Sequence, residues 1–336
     1  MASCFLAGTP RTLPSNCIIA PISASPPSIP SLAFQSSLSL TPISCSKQPP
    51  LVSLVNPYFK NPNCITKASS MAEVSTENNN FNSNNKGQVV EKQVFESEED
   101  LAVELAKYVA HLSDQFGKER GAFTVVLSGG SLIKSLRKLV EAPYNDSVDW
   151  SKWHVFWADE RVVPKDHPDS NYLLAFNGFL SKIPIPAGNV YAINDALSAE
   201  DAAEDYETCL NHLVKNKTIV LSETCGFPKF DLMLLGMGPD GHVASLFPRH
   251  PLMKENEKWV TFIKDSPKPP PERITFTFPV INSSAHVALV VAGAGKADAV
   301  CSTLGSNQNS DVLPVQMVSP EGKLKWFLDK GAASKL

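Results

Sequence analysis

The stretch AFTVVLSGGSLIKSLRKLV, residues 122–140, carries the clearest signal of the fold class. A continuous apolar run of strand length ends in two glycines, and a segment with the apolar spacing of a helix follows. Ser131 stands where a helix cap is expected. A buried strand, a tight turn and a helix in this order form the repeating unit of α/β proteins. The stretch therefore predicts one strand of a parallel sheet and one helix that covers it.

The same alternation continues along the rest of the chain. Segments with helical spacing of apolar residues follow apolar runs of strand length. Helices are predicted at residues 101–116, 199–214 and 296–304, and strands at residues 153–160, 230–238, 274–278 and 286–293. This alternation predicts one α/β domain, in which helices cover both faces of a mostly parallel central sheet.

Composition excludes several classes of protein. The chain has 336 residues, of which 43% are apolar, as in globular domains with a sizeable core. Its formal net charge of −4 comes from interspersed charges without a basic stripe, so a nucleic-acid partner is not expected. No apolar stretch reaches the roughly 18 residues of a membrane span. Cys209, Cys225 and Cys301 lack metal-like spacing, so we expect reduced thiols and no metal site.

The two ends of the chain resemble targeting signals rather than parts of the folded domain. Residues 1–70 are rich in Ser and Pro and contain no acidic residue, which predicts a plastid transit peptide; a disordered tail is the alternative. Residues 71–92 include an Asn-rich run and are predicted to form a polar linker before a domain at 93–330. The tail 331–336 ends in Ser-Lys-Leu, the tripeptide of peroxisomal import. A frayed charged tail is the alternative there.

Four of the predicted strands are followed by segments rich in glycine or in charged residues. The segments are SGGS at 128–131, DERVV at 159–163, GPDGH at 238–242 and GAGK at 293–296. In α/β sheets, ligands bind where strands end and loops begin. We therefore expect these segments to face one crevice.

The segment before His242 has two readings. Gly236, Gly238 and Gly241 satisfy the spacing of a dinucleotide-binding loop. That loop needs a long helix after the third glycine, whereas prolines follow closely here, and Asp240 would place a carboxylate beside the diphosphate. The turn instead exposes an imidazole that can take and return a proton near neutral pH. A tight turn whose histidine is satisfied by the backbone is the structural alternative.

Two segments suit an anion. Gly129, Gly130 and Ser131 offer backbone N–H groups and a hydroxyl at the predicted start of a helix, which suits a phosphate monoester. Lys296 follows a short glycine turn, but the frame of a nucleotide triphosphate loop is missing. An ordinary Gly-rich turn and a surface lysine are the structural alternatives. No cofactor is expected.

The charged residues that follow residue 157 do not by themselves indicate a single role. Asp159, Glu160 and Arg161 are interpreted either as an ion-paired loop or as groups that recognise a substrate. From its spacing alone, Arg273 is assigned to the surface. Taken together, the anion contacts, the histidine and the carboxylates describe a small phosphorylated, hydroxyl-rich substrate that undergoes proton transfer or hydrolysis.

Five motifs make the chain resemble the glucosamine-6-phosphate isomerase and 6-phosphogluconolactonase family. They occur in order between residues 93 and 328: LSGGS at 127–131, WADERVVPKDHPDSNY at 157–172, DLMLLGMGPDGHVASLFP at 231–248, RITFTFPVIN at 273–282 and VAGAGKA at 291–297. The resemblance implies a NagB-like three-layer α/β domain. It also implies hydrolysis of 6-phospho-D-glucono-1,5-lactone, the second step of the oxidative pentose phosphate pathway, without a metal or organic cofactor.

The resemblance also implies roles for individual residues. His242 looks like the general base, and Asp159 and Asp240 look like the carboxylates that orient the site, with the partner of the histidine left open. The implied phosphate and oxyanion contacts are Gly129, Gly130, Ser131, Arg161, Lys296 and Arg273. The implied partners are the sugar-phosphate lactone, the import receptors of plastid and peroxisome, and glucose-6-phosphate dehydrogenase as a functionally coupled enzyme.

Two other functions remain open at the level of the sequence. Isomerases and deaminases of the same family share the glycine-rich loop and the Asp-Gly-His turn, but they resemble DGHIAFNEP there, with an acid before the proline. This chain has Phe247 at that position, and Arg161 where those enzymes tend to have Tyr. A non-catalytic sugar-phosphate sensor is the third reading, and such a protein could dispense with His242.

Overall fold

The computed structural model describes residues 90–305 and 312–336. The predicted transit peptide and residues 71–89 of the predicted linker lie outside these residues. In the described part the strands are β1 (Val90–Phe95), β2 (Phe123–Leu127), β3 (Trp153–Trp157), β4 (Asp159–Arg161), β5 (Val220–Leu221), β6 (Pro228–Lys229), β7 (Leu232–Leu235), β8 (Val260–Ile263), β9 (Arg273–Phe276), β10 (His286–Val291) and β11 (Lys323–Asp329). The α-helices are α1 (Glu98–Arg120), α2 (Ser131–Ser135), α3 (Tyr144–Ser147), α4 (Asn171–Gly178), α5 (Ala199–Lys215), α6 (Phe278–Asn282) and α7 (Ala297–Leu304).

Six strands form a parallel central sheet in the order β1-β11-β10-β7-β2-β3. Successive residues of each inner strand enter opposite cores: Val125 packs on the face covered by α1, α2 and α4, and Val126 packs on the face covered by α5, α6 and α7. A strand buried on both faces is expected to be almost entirely apolar, and in β2 the one polar side chain, Thr124, is buried and donates its hydroxyl to Asp231. The predicted three-layer arrangement is confirmed.

Three short strands form a separate antiparallel sheet in the order β4-β9-β8. The prediction of one strand at residues 153–160 is wrong at its end, because β3 ends at Trp157 and residues 159–161 form the separate strand β4 rather than an ion-paired loop. Arg161 pairs with Arg273 in the ladder between β4 and β9. The strand predicted at residues 274–278 corresponds to β9, which belongs to this second sheet and not to the parallel central sheet. The reason is that backbone pairing partners from distant parts of the chain decide which sheet a short strand joins.

The helices show where sequence signals for caps succeed and fail. At α1, the Ser97 hydroxyl accepts a hydrogen bond from Asp100 N–H, and Gly121 closes the helix with φ +75°. At α4, Ser170 accepts from Leu173 N–H, as its position predicts. The expected cap by Ser131 is wrong, because Ser131 is already the first residue of α2 and Gly130 occupies the cap position. No helix in the described part of the chain is long and apolar enough to cross a bilayer.

At one end of the sheet β11 pairs with β10 and β1 pairs with β11, and neither β1 nor β11 is among the strands predicted from the sequence. After β11, the last residues form turns on the domain: Ala332 is fully buried, and its N–H donates to Asp329 at 2.7 Å. The side chains of Ser334, Lys335 and Leu336 stay exposed, and Lys335 pairs with Asp298 of α7.

Candidate active site

The carboxyl ends of four strands meet at one edge of the central sheet. Strands β10, β7, β2 and β3 are neighbours in that order and run parallel. Ser128 N–H donates to the Leu234 carbonyl at 3.1 Å, which brings the glycine turn after β2 beside the segment after β7. The four segments predicted to meet therefore leave the sheet at the same edge.

His242 lies on a tight turn that follows β7. Gly238 N–H donates to the His242 carbonyl at 2.9 Å, and Gly241 adopts φ +76°, a left-handed conformation that favours glycine. A Cβ atom at Gly238 would lie 2.0 Å from Nδ1 of His242. Glycine at 238 is thus required for the imidazole to fold back over the turn.

The imidazole contacts a carboxylate of the same turn. Nδ1 of His242 lies 2.6 Å from Oδ1 of Asp240. Burial opposes ionisation of Asp240, but hydrogen bonds from His242 and Lys268 outweigh it and hold the pKa of this carboxyl well below its usual range. An ionised Asp240 accepts the Nδ1 proton, which leaves the lone pair of the ring on Nε2. The side chain of His242 is 17% exposed, so a small molecule can still reach the ring.

Lys268 joins this pair from a distant loop. Its Nζ lies 2.9 Å from Oδ1 of Asp240 and 3.0 Å from Nδ1 of His242. Lys268 is not among the predicted site residues, because the proline-rich segment SPKPPP at 266–271 carries no local signal for a binding group. An ammonium group has three N–H donors, more than the Asp240 oxygen uses. Lys268 is therefore a candidate contact for a ligand as well as a partner of the carboxylate.

Lys296 follows the glycine turn after β10. The N–H of Gly293 donates to both carboxylate oxygens of Asp329 at 3.0 Å, and Gly293 adopts φ +93°. Burial and the charge of Lys268 lower the pKa of Lys296, while Asp240 opposes this shift. These influences indicate that Lys268 and Lys296 contribute positive charge to one region.

The carboxylate of Asp159 hydrogen-bonds to a residue other than His242. Its Oδ2 atom accepts a 2.8 Å hydrogen bond from the Ser245 hydroxyl, and Ser245 N–H donates to Thr275 of β9. Asp159 is only 6% exposed. It thus ties β4 to the loop that follows His242, whereas Asp240 is the carboxylate in contact with the ring.

Arg161 is the last residue of β4. One of its terminal N–H groups donates to the Asp169 carbonyl at 2.7 Å. Within the described residues, its buried Nε has no hydrogen-bond partner. The neighbouring Glu160 is buried, and burial raises its pKa to about 7 although backbone N–H groups favour the ionised form. Arg161 therefore retains donors for an anion.

The glycine turn after β2 has two different constraints. Gly130 adopts φ +69°, which a residue with a side chain rarely adopts. Gly129 lacks space instead: a Cβ atom there would lie 1.9 Å from Oδ1 of Asn171. Ser131 begins α2 directly after this turn and is exposed. The three predicted phosphate contacts thus lie together on one turn.

Arg273 is buried, so its assignment to the surface is wrong. Its guanidinium donates to the carbonyls of Lys268, Pro269 and Pro270 at 2.8, 3.1 and 3.0 Å. A longer contact of 3.4 Å reaches Ser245. These bonds hold the loop that carries Lys268 and use four of the five guanidinium N–H groups.

The Phe247 ring packs against the imidazole of His242. Its ring centroid lies 4.8 Å from that of His242, and the guanidinium of Arg273 lies 5.7 Å from the Phe247 ring. Phe247 is 1% exposed. At this position the fold thus supplies an apolar platform without a proton donor. In the described part of the chain, no group of three or more His, Cys, Asp or Glu side chains could hold a metal ion.

Comparison with known proteins gives consistent matches. A family model described as "Glucosamine-6-phosphate isomerases/6-phosphogluconolactonase" matches residues 96–326. The chain is 72% identical over 245 residues to "Probable 6-phosphogluconolactonase 4, chloroplastic" of Oryza sativa subsp. indica, which covers 72% of this chain and 76% of the relative. It is 69% identical over 244 residues to "6-phosphogluconolactonase 3, chloroplastic" of Arabidopsis thaliana, with 73% and 74% covered. The crystal structure of 6-phosphogluconolactonase from Thermotoga maritima superposes with a TM-score of 0.60 at 29% identity, covering 72% of this chain and 100% of that one.

Proposed function

Because this chain belongs to the glucosamine-6-phosphate isomerase and 6-phosphogluconolactonase family, we propose that it hydrolyses 6-phospho-D-glucono-1,5-lactone to 6-phospho-D-gluconate. This reaction is the second step of the oxidative pentose phosphate pathway. The observation that carries the proposal is the 2.6 Å contact between Nδ1 of His242 and Oδ1 of Asp240 at the carboxyl edge of the sheet. It supplies a general base whose free nitrogen is Nε2.

The chemistry needs one proton carrier. Nε2 of His242 removes a proton from water as the water oxygen adds to the lactone carbonyl. The tetrahedral intermediate then collapses, the bond between the carbonyl carbon and the ring oxygen breaks, and the imidazolium returns the proton to that oxygen. Asp240 stabilises the imidazolium, as in other His–Asp pairs. Lys268 lies within hydrogen-bond distance of this pair, and we assign it to the negative charge that develops on the carbonyl oxygen.

The phosphate binds away from the reacting carbonyl. Arg161, Lys296 and the turn from Gly129 to Ser131 are the groups that we assign to it. Arg161 retains donors, and Lys296 lies in a region of positive charge, which suits a dianionic group. Arg273 acts on the same site mainly through the loop of Lys268, which it holds by three backbone carbonyls. Binding energy from the phosphate then orients the lactone over His242.

Hydrolysis suits this site better than ring opening or deamination. A deaminase needs a second proton carrier near the histidine, and the position before Pro248 holds Phe247, packed under the imidazole. An already activated ester needs only the base and charge stabilisation. A sensor of sugar phosphates has no need for a paired histidine.

A coupled assay tests the proposal. The lactone is generated from glucose 6-phosphate with glucose-6-phosphate dehydrogenase, and its loss is followed above the spontaneous rate. Wild type should accelerate hydrolysis, and His242→Ala should lower kcat by about 10²- to 10⁴-fold. Deamination of glucosamine 6-phosphate is measured in parallel. Deaminase activity without lactonase activity, or an unchanged His242→Ala rate, would overturn the proposal.

We further propose that the protein acts in plastids and in peroxisomes, through the import receptors of both organelles. Relatives named chloroplastic support the first location. The exposed side chains of Ser334, Lys335 and Leu336 support the second. Fluorescent fusions at each end test both: a fusion that blocks the C-terminus should abolish the peroxisomal fraction, and an unchanged distribution would rule that location out. Coupling to glucose-6-phosphate dehydrogenase follows if that enzyme supplies the lactone.

A further inference from the structure

We infer that Asn171 is a positioning residue that joins the phosphate-binding turn to the strand of Asp159 and Arg161. This inference rests on the proposed lactonase function. Asn171 is the first residue of α4 and is 2% exposed, so it does not itself present a binding group to solvent. Its side chain lies between two segments that are about 30 residues apart in the sequence and come from neighbouring parts of the site.

One contact is a hydrogen bond. The side-chain N–H of Asn171 donates to the Asp159 carbonyl at 3.0 Å in the buried interior. A buried amide that loses its partner is costly, so this bond fixes the position of β4 relative to α4. Strand β4 also carries Arg161, two residues further on.

The other contact is steric. A Cβ atom at Gly129 would lie 1.9 Å from Oδ1 and 2.4 Å from Cγ of Asn171. The amide therefore rests directly against the backbone of the turn. Gly129 does not need a left-handed conformation, unlike Gly130, so close approach of Asn171 is what requires glycine there.

Glu160 holds Asn171 in place. Its carboxylate accepts the backbone N–H groups of Arg161, Asn171 and Tyr172 at 2.7, 2.8 and 2.7 Å. One carboxylate thus fixes both the start of α4 and the end of β4. The glycine turn, Asn171, Glu160 and Arg161 consequently form one connected unit.

The unit does not include the proton carrier. The His242 ring is held by Asp240 and lies over Phe247, and neither residue contacts Asn171 in the hydrogen bonds and ring contacts of the described residues. Removing the Asn171 amide should therefore loosen the phosphate contacts and leave proton transfer unchanged. This predicts a change in KM and in product affinity, with a kcat and a pH profile of kcat close to those of wild type.

Two variants test this inference. Asn171→Ala removes the amide, and Asn171→Asp keeps the volume but removes the donor to Asp159. In each variant, KM for the lactone and the Kd of 6-phosphogluconate, measured by calorimetry, should rise about tenfold, the value of one lost positioning contact of about 1.4 kcal/mol. The kcat value should stay within about twofold of the wild-type value. Asn211→Ala is the matched control, because Asn211 donates a similar bond to the Glu207 carbonyl on α5, and its KM should equal that of wild type.

A double-mutant cycle tests the steric contact. Gly129→Ala alone should raise KM, because its Cβ meets the Asn171 amide. In the Asn171→Ala background the same change should raise KM much less, since the clashing atoms are gone. Additive effects, or a kcat loss without a KM change in a folded variant, would overturn the inference. Wild-type protein without lactonase activity would instead overturn the proposed function, so the two failures are distinguishable. If Asn171→Ala does not fold, Asn171→Asp and the single Gly129→Ala change decide the outcome.

Discussion

The hydroxyl of Ser245 donates a 2.8 Å hydrogen bond to Asp159. Two carboxylates that look equivalent in the sequence are therefore engaged differently. Asp240 contacts the imidazole, while Asp159 connects strand β4 to the loop after His242. This separation makes their variants distinguishable.

Asp240→Asn should lower kcat far more than Asp159→Asn. The neutral amide at 240 no longer fixes the proton on Nδ1 of His242, a change that costs several orders of magnitude in comparable His–Asp pairs. We expect a loss of about 10²-fold or more for Asp240→Asn and of less than about tenfold for Asp159→Asn. Steady-state kinetics on the lactone measure both. Equal losses of kcat would contradict the assignment of Asp240 as the partner of the ring.

Lys268→Met should lower kcat and also move the acid side of the pH profile of kcat/KM upward. Lys268 helps to hold the pKa of Asp240 below its usual range, so without the lysine Asp240 takes up a proton at a higher pH. We expect a loss of at least about tenfold in kcat at neutral pH. Lys264→Met, in an exposed pair with Glu200, is the matched control and should behave as wild type. A Lys268→Met profile that superposes on that of wild type would contradict this role.

Affinity for 6-phosphogluconate should begin to fall at a pH below the ordinary lysine value of about 10.4. Burial lowers the pKa of Lys296, so its positive charge is lost earlier as the pH rises. Calorimetry between pH 7 and 10 measures the decline. Lys296→Arg should remove it, because arginine stays charged throughout. Lys330→Arg, at an exposed pair with Glu96, should keep it. An identical decline in both variants would show that another group is responsible.

The free energy of unfolding should fall between pH 6.5 and 4 because of His286. Burial, with Lys323 and His111, lowers the pKa of His286 to about 4, and its Nδ1 lies 3.0 Å from the Tyr108 hydroxyl. The unfolded chain takes up the proton near pH 6.5 and the folded protein does not, so acidification favours unfolding by on the order of 2–3 kcal/mol.

Urea unfolding at pH 7 and pH 4.5 checks this expectation. In His286→Asn, the free energy of unfolding should depend less on pH than in wild type. The exposed His212 provides the control, since His212→Asn should retain the full dependence. A wild-type slope in the His286 variant would assign the acid sensitivity to other groups.

Local pattern predicted most of the central sheet and its helices. Strands such as β2 and β10 are largely apolar, each with a single polar residue, and helices such as α1 and α5 show the apolar spacing of a covered face. These signals are strong because a strand buried on both faces tolerates apolar residues almost exclusively. Strands β4 and β11 carry charged residues and so lack this signal. They are strands because their backbones pair with partners far away in the chain.

Local sequence patterns are enough to assign the α/β class and to select His242 as the imidazole on a glycine turn that follows a predicted strand. Those properties are local, since periodicity and turn chemistry depend on neighbouring residues. Three relationships depend on tertiary packing: the contact of Asp240 rather than Asp159 with the ring, the approach of Lys268 to Nδ1 across 26 positions, and the inward direction of the Arg273 guanidinium. Contacts between distant segments depend on how buried surfaces pack together, and a linear pattern carries no distance between them.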